Sequence, residues 1–407
     1  MMKDRRVVVT GIGVVSSVGI GRDAFWNSIV NGACGLSEVS AFDTSGFTCH
    51  RGGEVKNFLP GEFMPKHKIK FLSRTSQLAI AASALALKDA GVPIEKISGD
   101  KLGVIIGTTL GETYIEDLAA AWARGGLKDV QRRKLFQASV NNISANVGIQ
   151  FKAMGVNYLI PNACAAGNYA IGYAFDLIKN GDLNFVLAGG SEAFSCLAFA
   201  GFQRLYAMSP DKCAPFDKNR KGMMLGEGSG ILLIESLESA RKRGANVYAE
   251  ILGYGLSCDA YHATATEPEG IAKVMRKALK DAAIDREEVD YICAHGTGTP
   301  MNDKTESKAI NEVFGKRQGL MVSSLKSMLG HTMGASSAIA SAACCLAIKD
   351  GIVPPTINFE TPDPECDIDC VANIARKIKI NIALNNGFAF GGNNCSVVFS
   401  KANLEIS

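Results

Sequence analysis

The chain has 407 residues, too many for one ordinary core, so two or more packed units are expected. Hydrophobic residues at 47% and charged residues at 20% are ordinary globular values, and a net charge of +3 is too small to point to nucleic acid. No apolar run reaches the roughly 18 residues of a membrane span, and the opening MMKDRRVVVTGIG is read as neither a secretory signal nor a transit peptide.

Strands alternate with helices along the chain, which favours an α/β layered fold. Arg6–Thr10 reads as a buried strand ending at a Gly-Ile-Gly turn. Ser16 stands where a dinucleotide-binding motif would need its third glycine, so a tight turn is the better reading. Residues 75–90 have helical spacing, Leu102–Gly107 reads as a strand, Tyr169–Ile178 as a helix and Asn184–Ala188 as a third strand. After Gly244 the order restarts: strand Val247–Gly253, a helix from Gly270 to Ala283, strand Asp290–Ala294, an apolar helix over Ala335–Lys349 and a final strand Cys395–Phe399. Two halves of similar order, 1–250 and 251–407, suit an internal duplication. No flexible linker divides them, so they are expected to pack as one body.

The twelve cysteines are scattered, mostly in apolar company (Cys196, Cys293, Cys344, Cys345, Cys395), as expected of core thiols kept reduced in the cytosol. Cys366 and Cys370 have no second pair to complete a zinc site, and no metal is expected. Cys164 is different. It sits in Pro161-Asn-Ala-Cys-Ala-Ala-Gly167 at a strand-to-helix junction, where the helix dipole favours thiolate and small neighbours leave room for a thioester.

Only five histidines are present, and two lie in glycine-containing contexts in the second half. His295 is in Ala294-His-Gly-Thr-Gly-Thr-Pro300 and His331 in Lys326-Ser-Met-Leu-Gly-His331. A lone histidine is usually a core or surface residue. Two in such contexts, with Lys326 near one of them, suit stabilisation of a developing enolate or thioester oxyanion. The loop Gly387-Phe-Ala-Phe-Gly-Gly-Asn-Asn394 sets glycines around two phenylalanines, which allows backbone approach and movement. No Lys-Ser/Thr follows its glycine pair to make a phosphate loop.

Taken in order, VVVTGIGVVS, NACAAG, AGGSEA (188–193), PFDKNRKG…GEGSG (215–230), DAYHATA (259–265), AHGTGTPMND (294–303), KSMLGH, VPPTIN (353–358) and GFAFGGNN run the length of the chain. The whole resembles a type II β-ketoacyl-acyl carrier protein synthase of the thiolase-fold superfamily. That resemblance implies two duplicated αβαβα halves, the first carrying the nucleophile and the second the histidines and gate loop. It implies Cys164 as the acyl-accepting nucleophile, with the backbone N–H groups of Cys164 and Phe390 as oxyanion hole. His295 and His331 would stabilise the enolate left when malonyl-carrier loses carbon dioxide, and Lys326, Asp303 and Glu306 would orient them. Thr297 and Thr299 would bind the pantetheine arm, and Phe388 and Phe390 would gate the acyl pocket. The partner implied is acyl carrier protein, whose phosphopantetheine carries the substrates without a further cofactor. Lys66, Lys68, Lys70, Arg132, Arg133 and Lys134 are the basic residues expected to dock it near the tunnel mouth. A homodimer in the cytoplasm is implied, with a heterodimer with a chain-length partner as the alternative, and neither nucleic acid nor membrane as partner.

Against the family pattern, Ala340 replaces a glutamate, Ala389 a glycine, Asn393 a threonine, and Met223-Met224-Leu225 a phenylalanine-containing segment. These departures leave the chemistry intact and point toward a specialised polyketide or polyene pathway rather than primary fatty acid synthesis. Ala389 would bias the gate if residue 389 had to take φ > 0, at a cost of about 1–2 kcal/mol, and would be neutral in β-region angles. Ala340 would leave Glu306 and Asp303 to balance Lys326. Two rival enzymes fit less well. A thiolase needs a second cysteine in a Cys-x-Gly turn, which Cys395-Ser-Val does not supply, and the ketosynthase III and chalcone synthase branch uses one histidine and one asparagine. A non-catalytic chain-length partner would lack the nucleophile.

Overall fold

The computed structural model describes residues 5–403. Its first strand, β1 (Val7–Ser16), is ten consecutive buried residues and runs straight through Gly11 and Gly13. The expected Gly-Ile-Gly turn is instead a contact with helix α1 (Arg74–Asp89). A Cβ on Gly11 would lie 2.2 Å from the Ala86 carbonyl oxygen, and one on Gly13 1.9 Å from that of Ala82. Glycine lets the helix backbone press onto the sheet.

Strands β2 (Leu102–Gly107), β3 (Asn157–Ile160), β4 (Phe185–Glu192) and β5 (Gly228–Ser236) join β1 in the order β3-β2-β4-β5-β1. In the second half β6 (Ala249–Cys258), β7 (Tyr291–Cys293), β8 (Met321–Ser323), β9 (Ile382–Phe388) and β10 (Asn393–Ser400) take the order β8-β7-β9-β10-β6. Each set is third-second-fourth-fifth-first within its own half, so the topology is repeated. The two first strands pair antiparallel, Val7 opposite Ile251, and join the sets into one sheet. The expected loop 387–394 is shorter than the sequence suggested, because β9 and β10 pair as a hairpin up to Phe388 opposite Asn394.

Helix α1 covers β1 and β5 from outside, and α3 (Pro268–Asp281), backed by α4 (Pro300–Phe314), does the same for β6 and β10. Between the two sets of strands lie α2 (Ala166–Asn180), against β2 and β4, and α5 (Ser336–Asp350), against β5 and β9. This is the αβαβα layering. Residues 336–348 of α5 are all buried, as a helix apolar on every side must be. Among the described residues no helix is long and apolar enough to cross a membrane.

The two central helices touch near their N-termini. A Cβ on Gly167 would stand 2.6 Å from the Ala338 nitrogen and 2.7 Å from its Cβ. A buried polar network locks the crossing: Asn168 N donates to Ser337 Oγ at 3.0 Å, and Asn385 Nδ2 donates to Asn168 Oδ1 at 2.8 Å and to Ser341 Oγ at 2.8 Å. Gly167→Ala should overpack this crossing and cost about 1–3 kcal/mol. Chemical denaturation should show the loss as a lower midpoint at unchanged slope, and an unchanged midpoint would mean the crossing yields freely.

Candidate active site

The chain leaves β3, makes a tight turn at Ala163–Ala165 and enters α2, which puts Cys164 at the helix entrance. Ala163 holds φ at 46°, a region that costs a non-glycine residue energy and is kept only where the surroundings over-determine it. The expected easy thiolate does not hold here. Burial pushes the Cys164 thiol up to about 12; Lys326 pulls the other way and Glu192 adds to the rise. One helix end does not offset the loss of water around the sulfur.

His331 is fixed at three atoms. Its N–H donates to Met224 O at 2.7 Å, its carbonyl accepts Gly226 N–H at 3.0 Å, and its Nδ1 accepts Met333 N–H at 3.1 Å. With Nδ1 an acceptor, the ring proton sits on Nε2. The segment Met223-Met224-Leu225, a departure from the family pattern, is thus the strand-like partner of the His331 turn. The His295 ring stands edge-on to His331, 5.3 Å between centroids, and 5.7 Å from the Phe388 ring. Burial and Lys326 hold both imidazoles well below their usual range, His331 adding to the effect on His295, so both are neutral at pH 7.

Glu306 on α4 clamps the His295 turn, accepting His295 N–H at 2.8 Å and Gly296 N–H at 2.7 Å. The ammonium of Lys326 donates to the His295 carbonyl. Asp303 does not balance Lys326 as the sequence suggested. It accepts Phe216 N–H at 2.9 Å and Gly298 N–H at 3.1 Å, and the nearest cation to it is Arg220, at 3.7 Å. Ala340 is a buried core residue of α5.

Cys164, His295, His331, Thr297, Thr299, Phe388 and Phe390 line one pocket of about 80 Å³, room for a few water-sized groups. The two threonine hydroxyls bond each other at 2.8 Å. Phe388 is 1% exposed at the end of β9, whereas Phe390 is 37% exposed at the rim against Phe202, 5.7 Å between centroids. Ala389 has the β-region angles φ −131° and ψ 152° here, and Gly391 carries the positive φ of 81°.

None of Lys66, Lys68, Lys70, Arg132, Arg133 and Lys134 lines this pocket. Lys134 is ion-paired to Asp117, and Lys68 bonds Gln150. Arg132 and Arg133 are exposed on a short helix (Arg132–Gln137) that also exposes Leu135 and Phe136. Sequence reasoning missed Phe202, Ala207, Thr264, Thr266, Met301 and Asn302 in the pocket wall. Thr264, Met301 and Asn302 lay inside family-like strings, whereas Phe202, Ala207 and Thr266 carried no signal, since wall residues have no spacing rule of their own.

The chain is similar to known proteins along nearly its whole length. The family described as Beta-ketoacyl synthase, N-terminal domain, matches residues 4–240, and Beta-ketoacyl synthase, C-terminal domain, matches residues 248–360. The 3-oxoacyl-acyl-carrier-protein synthase 2 of Synechocystis sp. is 40% identical over 411 residues, covering 98% of this chain and 99% of the relative. The Staphylococcus aureus protein of the same name is 40% identical over 415 residues with the same coverage. Among solved structures, the ishigamide ketosynthase/chain length factor superposes with a TM-score of 0.96 at 41% identity, over 98% of this chain and 100% of that one. A type II PKS ketosynthase solved with its acyl-carrier protein and bound to the hexaketide gives 0.90 at 34%, over the same shares. Matched along both halves and at this identity over nearly its whole length, the chain belongs to the β-ketoacyl synthase family.

Proposed function

We propose that this chain is a β-ketoacyl-acyl carrier protein synthase that joins an acyl thioester to malonyl-acyl carrier protein, in fatty acid or type II polyketide or polyene elongation. The observation that carries the reading is the convergence of Cys164, His295 and His331 on one buried pocket. Residues 1–250 would then supply the nucleophile and 251–407 the two histidines and the gate.

In the first step the Cys164 sulfur bonds the acyl carbonyl carbon and the carrier thiolate leaves. The thiol is protonated at neutral pH, so its proton must move during the step. His331 cannot take it at Nδ1, which already accepts Met333 N–H, and His295 remains to pass it to the departing thiolate. The N–H groups of Cys164 and Phe390 suit the oxyanion, because each lies in the first turn of a helical segment and lacks an intrahelical acceptor.

In the second step malonyl-carrier loses carbon dioxide, and the electron pair of the broken C–C bond becomes an enolate. Neutral imidazole N–H groups can stabilise its oxygen without a formal charge of their own. The enolate carbon then attacks acyl-Cys164, a C–C bond forms, the C–S bond breaks and the sulfur regains a proton. Nothing is oxidised or reduced overall, so the steps need no redox cofactor. Thr297 and Thr299 would take the pantetheine arm, and Phe390, the more exposed ring, would move to admit the acyl chain. Of the six basic residues, Arg132 and Arg133 best suit an acidic carrier, since exposed apolar side chains beside them favour a protein partner over solvent.

The sheet edge supports a dimer. Strand β3 is the outer strand of its half, with Tyr158, Ile149, Met154 and Tyr173 exposed around it, and such an edge is normally covered. All twelve cysteines are unpaired, which suits the cytoplasm. A non-catalytic chain-length partner would have no use for the assembled triad.

Intact-protein mass spectrometry with a panel of acyl-carriers tests the reading. Cys164→Ala should keep its fold and form no acyl adduct, and full condensation by that variant would falsify the assignment. His331→Ala should lower malonyl-carrier decarboxylation about 10²–10³-fold while Cys164 still acylates. His295→Ala should slow both steps, and equal behaviour of the two histidine variants would refute the division of labour.

With its thiol at about 12, Cys164 is a protonated acid across neutral pH, and the reactive thiolate fraction grows as pH rises. Alkylation by iodoacetamide should therefore accelerate about tenfold per pH unit from 7 to 9. A plateau in that range would mean the thiol ionises more easily than its burial dictates.

Ile149→Lys combined with Tyr158→Lys should turn the dimer into monomer in sedimentation velocity. A species of unchanged mass would place the interface elsewhere.

A further inference from the structure

Glu192 ends β4 and is buried, yet all its partners are neutral donors. Its Oε2 accepts Thr109 N–H at 2.6 Å and Gly334 N–H at 3.0 Å, and its Oε1 accepts the Thr108 hydroxyl at 3.1 Å and Leu110 N–H at 3.1 Å. The carboxylate therefore ties the loop after β2 to the turn after His331. That turn is under load. Met333 holds φ at 45°, a left-handed conformation that is strained for a non-glycine residue. Gly334 is pressed so closely against the loop that a Cβ would lie 2.5 Å from Thr108 C and from Thr109 N. The N–H of this strained Met333 is the group that occupies His331 Nδ1, at 3.1 Å.

We propose that Glu192 is a positioning residue for the decarboxylation step: by anchoring Gly334 it holds Met333 in its left-handed conformation, and so keeps the His331 proton on Nε2. The inference rests on the ketosynthase reading above. Without the anchor the turn can relax, Met333 N–H leaves Nδ1, and the ring is free to take the other tautomer or to rotate. Glutamate suits the task because four donors converge on it and only a carboxylate offers two accepting oxygens. Glutamine would set an NH₂ group against two of the same donors.

The test separates the half-reactions in Glu192→Gln and Glu192→Asp, each alone and combined with His331→Ala. Glu192→Gln should lower malonyl-carrier decarboxylation about 100-fold, the scale of a misplaced catalytic group, while Cys164 acylation, read by intact mass, stays within about threefold. In the His331→Ala background the same change should cost nothing further, because a residue acting through His331 has nothing left to position. Glu192→Asp keeps two accepting oxygens and should restore part of the lost rate. It carries the same cycle should the glutamine variant fail to fold. Equal losses in both half-reactions, or losses that multiply with those of His331→Ala, would overturn the proposal. If His331→Ala alone left decarboxylation intact, the ketosynthase assignment of His331 would fail instead.

Discussion

The site depends on one crossing. Helices α2 and α5 sit between the two sets of strands and meet near their N-termini, with Gly167 against Ala338 and the Asn168–Asn385–Ser341 hydrogen bonds holding the contact. Cys164 lies just before one helix and His331 just before the other, so bringing the helices together brings the two residues together. The repeated strand order makes this a consequence of duplication, since each half delivers its central helix to the same place. His295 arrives differently, from the end of β7, and is trimmed into place by Glu306 and Lys326. A helix crossing built from small side chains tolerates little added volume, which is why the reactive geometry and the core packing cannot be varied independently.

Burial sets the electrical character of the pocket. Two imidazoles and a thiol line it, a cation and two carboxylates are buried around it, and every one of them is pushed toward its neutral form. Lys326 keeps the histidines neutral by making a second positive charge expensive, and it favours the Cys164 thiolate. A neutral ring with one known N–H is a better partner for an enolate than an imidazolium, which could surrender its proton to the enolate carbon before the new bond forms. On the proposed mechanism the site trades nucleophile acidity for well-defined donors, and acyl transfer would have to move a proton that a more solvated cysteine would already have lost.

The fold was largely legible because the helices carry helical spacing or apolar runs of helical length and most long strands are continuous apolar runs. The apolar stretch Ala335–Lys349 was read as a helix and forms one over Ser336–Asp350. The Gly-Ile-Gly turn was misread because the signal for a turn and the signal for close helix approach are the same residue. The short strands Asn157–Ile160 and Met321–Ser323 passed unseen, having too few residues for a period to register. At the site, Cys164 and the two histidines stood out through small-residue and glycine contexts. The raised thiol did not, because ionisation depends on how much water the fold removes, and no local pattern encodes that. Glu192 lay inside a recognised string without a role, for its partners come from residues 108–110 and 334, far away in sequence.

The proposed gate shows how far a departure in sequence can be from a departure in mechanism. Alanine in place of glycine at 389 looks restrictive only if that residue must turn, and here it is extended. The positive angles belong to Gly391 and Gly392, at φ 81° and 73°, so the freedom the loop needs lies one step further along. Phe388 is locked into β9 by pairing opposite Asn394, whereas Phe390 leaves the hairpin and leans on Phe202. Movement of Phe390 alone could open the pocket without breaking a strand pair. The cost of opening then lies in separating two aromatic rings and not in backbone strain at 389. On the proposed gating, the chain would meet what the displaced ring uncovers, and of the departures from the family pattern Met223 lies in that wall.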